Sequence, residues 1–177
     1  MGNPNVIEWL QLYLKKPKIH EKSLKPVMHF SLLWNLFEYT YFTKDKRLTP
    51  DALFDLSDIS FKFLEEVVIN KCFNHFEQRY LNENGKTNEM FEKLRLCKKS
   101  KNDKESDYQI CKKIIENKSL DRIEKIKCLF LIIHRFRNNL FHGNKKPLTL
   151  NLFENEFNHI NEFLMYFIGK TSHEHSK

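Results

Sequence analysis

The chain has 177 residues, one domain's worth by the usual span of about 100–200 residues, and at that length about 70% of the extended chain's surface can be buried without disulfide or metal staples. With 41% hydrophobic and 14% aromatic residues but only 4 Gly and 5 Pro, turns are scarce and long helices are favoured. The longest apolar run, Leu129 to Ile133 behind Cys128, falls far short of the roughly 18 residues of a membrane span, and a net charge of +7 favours a polyanionic partner such as nucleic acid.

The first residues, Met1-Gly2-Asn3-Pro4-Asn5-Val6, have no basic start before an apolar stretch. Val6 also stands where a myristoylation signal has Ser or Thr, so neither a secretory leader nor a lipid anchor is expected. Val6, Ile7, Trp9, Leu10, Leu12, Tyr13 and Leu14 predict a short helix packed on the body, ending at Lys16-Pro17. Next, Phe30, Leu33, Trp34, Phe37 and Tyr41 form one stripe behind Pro26, a good first-turn residue, and predict a helix over 27–43. Thr49-Pro50-Asp51 reads as an N-cap, a proline at N1 and an acidic first turn.

From Ser57 to Tyr80 the helical spacing of Ile59, Phe63, Val67 and Phe73 or Phe76, with no breaker, predicts one long central helix. Asn82-Glu83-Asn84-Gly85 ends it, and residues 82–107 read as an exposed, charged excursion or a loosely packed helix. Its Lys93, Arg95, Lys98, Lys99, Lys101 and Lys104 suit either an electrostatic track for RNA or a solvated loop. A helix restarts near Tyr108 and breaks at Asn117-Lys118. It resumes after Ser119 as N-cap with Asp121 in the first turn. That helix carries Ile123, Ile126, Phe130 and Ile133 on one face. Pro147 precedes a last helix over Leu148 to Ile168, striped by Phe153, Phe157, Ile160, Leu164 and Phe167. Residues 171–177, with His173 and His175, read as a flexible tail. The whole is a single all-α domain over 1–177, an up-and-down helical bundle with one inserted, charged connection. Cys72, Cys97, Cys111 and Cys128 form no CxxC pair and have no His at zinc-site spacing. Reduced thiols in a cytoplasmic protein, without metal or cofactor, are expected.

The informative segment is His134-Arg135-Phe136-Arg137-Asn138-Asn139-Leu140-Phe141-His142-Gly143. Continuing the stripe Ile123, Ile126, Phe130, Ile133 by four residues lands on Arg137, so a permanent charge occupies a position the period reserves for an apolar group. Buried unpaired, it would be costly; it must meet a carboxylate, a subunit interface or a ligand-binding cleft. His142 lies five residues on, just before Gly143, whose tolerance of positive φ suits a helix end. A basic last turn that complements the helix dipole is the plain alternative.

Arg137-Asn138-Asn139-Leu140-Phe141-His142, followed by Gly143-Asn144-Lys145, resembles the R-x4-6-H motif of the HEPN superfamily, with Asn138 as the polar residue after the arginine. These are small all-helical proteins of prokaryotic defence and toxin systems. Leu33-Trp34-Asn35-Leu36-Phe37-Glu38 is similar to the aromatic and acidic stretch in an early helix of several HEPN groups. The resemblance implies a bundle of the HEPN type and a metal-independent endoribonuclease. It implies a homodimer in which motif residues of both protomers share one cleft, with RNA and an antitoxin or defence-system protein as partners; no membrane partner is expected, because the apolar runs are too short to span one.

The residue chemistry leads the same way. Attack of an RNA 2′-hydroxyl on the adjacent phosphate needs a proton acceptor, a donor to the leaving oxygen and positive charge on the phosphate. His142 can exchange protons near neutral pH, Arg137 can grip phosphate oxygens in a planar fork, and Asn138 can orient the phosphate or the histidine. Glu38 is a candidate ion-pair partner of Arg137, because both fall on or near inward faces. Arg135 and His134 flank the motif as further phosphate contacts or as a solvated helix end.

Three alternatives stand. One is a catalytically inactive HEPN-like module that binds RNA or nucleotides or dimerises. Another is the HEPN partner of a nucleotidyltransferase, whose tyrosine two residues after the motif histidine is here Asn144. The third is a structural bundle in which Arg137 is simply paired.

Overall fold

The computed structural model describes residues 5–13, 15, 21–42, 47–99, 105–117, 121–141 and 152–175, apart from the side chains of Ser23 and of residues 173–175. Among them are eight α-helices: α1 Val6–Tyr13, α2 Glu21–Tyr41, α3 Pro50–Ser60, α4 Glu66–Tyr80, α5 Glu89–Leu94, α6 Asp107–Glu116, α7 Arg122–Phe141 and α8 Glu154–His175. No strand occurs among the described residues beyond one isolated bridge, Leu81 to Thr87, so the architecture is an all-α bundle.

The central element is α7. Every residue from Cys128 to Ile133 is buried, the mark of a helix enclosed on all sides, and α3, α4, α5 and α6 pack around it while α8 lies against α2 and α4. Aromatic rings stitch the layers. Phe37 lies 5.6 Å from Phe130, Phe30 lies 5.1 Å from Phe157, and Tyr41 lies 5.4 Å from Phe167. These are the stripes read from the sequence, with Phe30, Trp34, Phe37, Ile126, Phe130, Ile133, Phe157, Ile160, Leu164 and Phe167 all buried.

The long helix expected over Ser57 to Tyr80 is two helices. α3 stops at Ser60, a 3-10 turn covers Phe61–Phe63, and Leu64 is extended at φ −103°, ψ 132°. No breaker in the local sequence forces this; tertiary bonds satisfy the interrupted backbone instead. The Glu65 N–H donates to Tyr166 Oη at 2.9 Å, and Arg122 Nη1 donates to the Leu64 carbonyl at 3.2 Å. The turn buries Leu64.

The 82–107 excursion is also more embedded than expected. Asn82 closes its turn by accepting from the Asn84 and Lys86 N–H groups, with Gly85 at φ 69°, a conformation that favours glycine. Asn88 caps α5 by accepting from Met90 and Phe91, and its amide donates back to the carbonyls of Arg79 and Leu81. Phe91, Leu94 and Leu96 are buried, so a short helix of this connection belongs to the core.

Smaller differences have equally local causes. α2 begins at Glu21, well over a turn before the expected start, and encloses Pro26, whose carbonyl accepts from the buried Asn161 amide at 2.8 Å. Asp121 caps the start of α7 by accepting from the Glu124 N–H; Ser119 lies outside the described residues. α8 runs on to His175 instead of fraying from residue 171. Thr171 there is buried and gives its hydroxyl proton to the Phe167 carbonyl, so its oxygen accepts from Tyr41 Oη at 2.5 Å. α1 has no fully buried residue: Ile7 and Leu10 are half-buried while Trp9 and Tyr13 are exposed and stack on each other, so it is covered less than its composition predicts.

Candidate functional site

Beyond Ile133 the last two turns of α7 carry polar side chains where the core ends. Residues 134, 137 and 138 fall on one side because helical neighbours recur at three and four positions, and that side faces α2. The stripe residues Ile126, Phe130 and Ile133 are wholly buried, whereas the Arg137 side chain four positions on is 27% exposed.

Arg137 is held from three directions. Its Nη2 donates to Glu38 Oε1 of α2 at 3.2 Å, its Nη1 donates to Asn138 Oδ1 at 3.2 Å, and its guanidinium lies 5.4 Å from the Phe141 ring centre. Its Nε is buried with no hydrogen-bond partner among the described residues. The Asn138 amide nitrogen lies 3.2 Å from His134 Nε2. The His134 ring in turn stacks on Trp34 of α2, centroids 6.3 Å apart and planes within 14°. Burial, then the charges of Arg137 and Arg135, push His134 down to about 4, so its ring is neutral at pH 7. Glu38, Arg137, Asn138 and His134 thus form one continuous polar chain from α2 to α7.

Of the residues read from the sequence, Glu38, Arg137 and Asn138 are brought together. His142 lies outside the described residues, as do Gly143 and Asn144. Arg135 is not part of the cluster: two residues along a helix is a rotation of about 200°, and Arg135 faces α5. There its Nε donates to the Leu94 carbonyl at 3.0 Å, beside the buried Asn139, whose amide donates to the same oxygen. It is neither a solvated helix end nor a neighbour of Arg137. Burial and the nearby Arg95 lower its affinity for its proton.

Sequence reasoning left His134 between a further phosphate contact and a solvated helix end, and took Trp34 as core; neither was placed beside Arg137 and Asn138. Trp34 is core, at 1% exposure, and it also backs the histidine. The signal that could have found His134 was its spacing of three and four residues from Arg137 and Asn138. The basic excursion is partly neutralised by its own acids, for Lys93 pairs with Glu89 at 3.6 Å and Lys98 with Glu92 at 2.7 Å. Lys101 and Lys104 lie outside the described residues. No group of three or more His, Cys, Asp or Glu arranged to hold a metal occurs among the described residues, and none of their helices is long and apolar enough to cross a membrane. Compared with known proteins, the chain matches no family model, no curated protein and no solved structure.

Proposed function

We propose that the protein is a metal-independent endoribonuclease of the HEPN type, acting in defence or as a toxin, that cleaves RNA by attack of the 2′-hydroxyl on the adjacent phosphate. The observation that carries this reading is the state of Arg137. A guanidinium has two N–H groups on each Nη; Glu38 takes one from Nη2 and Asn138 one from Nη1. One N–H on each Nη is left for a phosphate oxygen, and the group is already oriented. It stabilises the charge that builds on the phosphate. His142 takes the proton of the 2′-hydroxyl, and a second copy of His142 across a dimer supplies one to the leaving oxygen.

A dimer suits the outer face of α2, where Met28, Leu32, Leu36 and Tyr39 recur at helical spacing and are all exposed, Leu32 at 71% and Tyr39 at 83%. A second copy of this chain is the occupant we assign to that strip. Leu32→Glu is expected to give a folded monomer with cleavage lost.

RNA cleavage in EDTA, comparing wild type with Arg137→Ala and His142→Ala, tests the reading, with solution mass measured for each protein. The expected result is a dimer that leaves 2′,3′-cyclic phosphate ends and loses roughly 100- to 1,000-fold in kcat on removal of Arg137. A folded wild type inert on tRNA, mRNA and rRNA, or variants that cut as well, overturns it.

One observation favours a second reading, a catalytically inactive module. The Glu38 ion pair compensates the Arg137 charge from within the chain, which is what a bundle without an active site requires.

A further inference from the structure

We propose that His134 is a positioning residue of the Arg137 site: the lone pair on its Nε2 holds the Asn138 amide, and the carbonyl of that amide fixes the guanidinium. The proposal rests on the reading of Arg137 as the group that meets phosphate.

The argument is one of donors and acceptors. An arginine can only donate, so the Asn138 atom 3.2 Å from Arg137 Nη1 is the carbonyl oxygen. The other end of the amide is then the NH2 group, which can only donate, and it faces His134 Nε2 at 3.2 Å. That ring nitrogen must therefore carry a lone pair, and the ring proton sits on Nδ1. Of the three protonation states of a histidine, only this tautomer keeps both bonds. The imidazolium or the Nε2–H tautomer would set N–H against NH2, and turning the amide to relieve that would set NH2 against the guanidinium.

Trp34 gives the ring a flat support, with planes within 14°, and the spacing of three and four residues along α7 keeps the three side chains on one face. Glu38 supplies a charge to one Nη and Asn138 a dipole to the other. A guanidinium held at both ends loses less freedom when a phosphate arrives. With its Nε2 already engaged, His134 does not take the substrate's proton. Proton transfer is left to His142.

Nitrogen-15 spectroscopy of the full chain tests this without reference to activity. Long-range couplings should show His134 as the Nδ1–H tautomer at pH 7. His134→Phe keeps a ring for Trp34 but has no acceptor; it should speed rotation of the Arg137 guanidinium roughly tenfold, the equivalent of one hydrogen bond. His134→Gln, whose carbonyl oxygen can accept, should restore the slow rate, and Asn138→Ala should be as fast as His134→Phe. In the cleavage assay His134→Phe should lower kcat roughly tenfold at unchanged KM, with His134→Gln recovering it. An Nε2–H tautomer, an imidazolium at pH 7, or an Arg137 that turns no faster in folded His134→Phe or Asn138→Ala overturns the proposal, whether or not RNA is cut. If the spectra come out as expected and wild type leaves every RNA intact, the positioning role stands and the nuclease reading falls.

Discussion

The bundle holds two interhelical clusters built from the same residue types, and they differ in what they leave open. Between α2 and α7, Glu38 and Arg137 are both partly exposed, at 31% and 27%, and the arginine continues through Asn138 to a histidine whose Nε2 is engaged. Between α4 and α8, Arg79 pairs with Glu156, whose side chain is only 3% exposed. Beside them His75 and His159 stack with centroids 4.0 Å apart and planes 23° from parallel. His75 Nε2, His159 Nδ1 and Glu156 Oε2 are buried without a hydrogen-bond partner among the described residues. Nearly parallel imidazoles aim their nitrogens side by side instead of at one point, so this pair is not arranged to chelate an ion. Both clusters hold a buried polar atom without a partner among the described residues, Arg137 Nε in the first, but the first is reachable and the second is closed. Burial of the carboxylate separates a charge that holds helices together from one that is free to meet a ligand.

The closed cluster gives the largest expected effect on stability. Arg79→Ala leaves Glu156 buried without its partner, and breaking such a pair costs about 3 kcal/mol or more. It also removes the guanidinium from over the Phe153 ring. Urea unfolding should show the loss as a lower midpoint with an unchanged slope. A loss below about 1 kcal/mol would place Glu156 among solvent-exposed pairs and erase the contrast between the clusters.

Acid should weaken both clusters, because each contains a histidine kept neutral. Burial, then His159 and Arg79, push His75 down to about 4, and His134 is likewise pushed down to about 4. In the unfolded chain each ring binds a proton near pH 6.5. Between 6.5 and 4 the unfolded chain therefore binds more protons than the folded one, so stability is intact above about pH 6.5 and falls as pH is lowered toward 4. Partial exposure reduces the effect below the full linkage value, to on the order of 1–2 kcal/mol per histidine. Urea midpoints at pH 7 and 4.5 should differ most in wild type and less in His75→Gln or His134→Gln. Equal pH dependence in all three would mean that neither ring is the acid-sensitive group.

The two clusters also differ in how far the sequence reveals them. Arg137 is conspicuous because it breaks a stripe of isoleucines and phenylalanine, and Glu38 is reachable from it because both helices have a legible inward face. Arg79, Glu156, His75 and His159 interrupt no such regularity, and their pairing depends on the register between α4 and α8, which local periodicity does not encode. The same limit explains the other differences. Core aromatics at helical spacing locate α2, α7 and α8, and Thr49 caps α3 from the expected place, since these follow from local rules. The break at Leu64 follows from donors on Arg122 and Tyr166, far away in the chain. α1 has the composition of a packed helix, yet composition does not say what covers it.

The smallest stability effect sharpens the comparison most. Arg137→Ala removes an ion pair whose two side chains are both partly exposed, and such pairs contribute about 0–1 kcal/mol. Its unfolding midpoint should stay close to wild type while Arg79→Ala falls well below it. Loss of cleavage in a folded, stable Arg137→Ala then belongs to chemistry and not to the bundle. If Arg137→Ala instead unfolds as readily as Arg79→Ala, the Glu38 pair is a structural clamp like its counterpart between α4 and α8. Any loss of activity in that variant would then carry no information about the phosphate, and the inactive-module reading would gain what the nuclease reading loses.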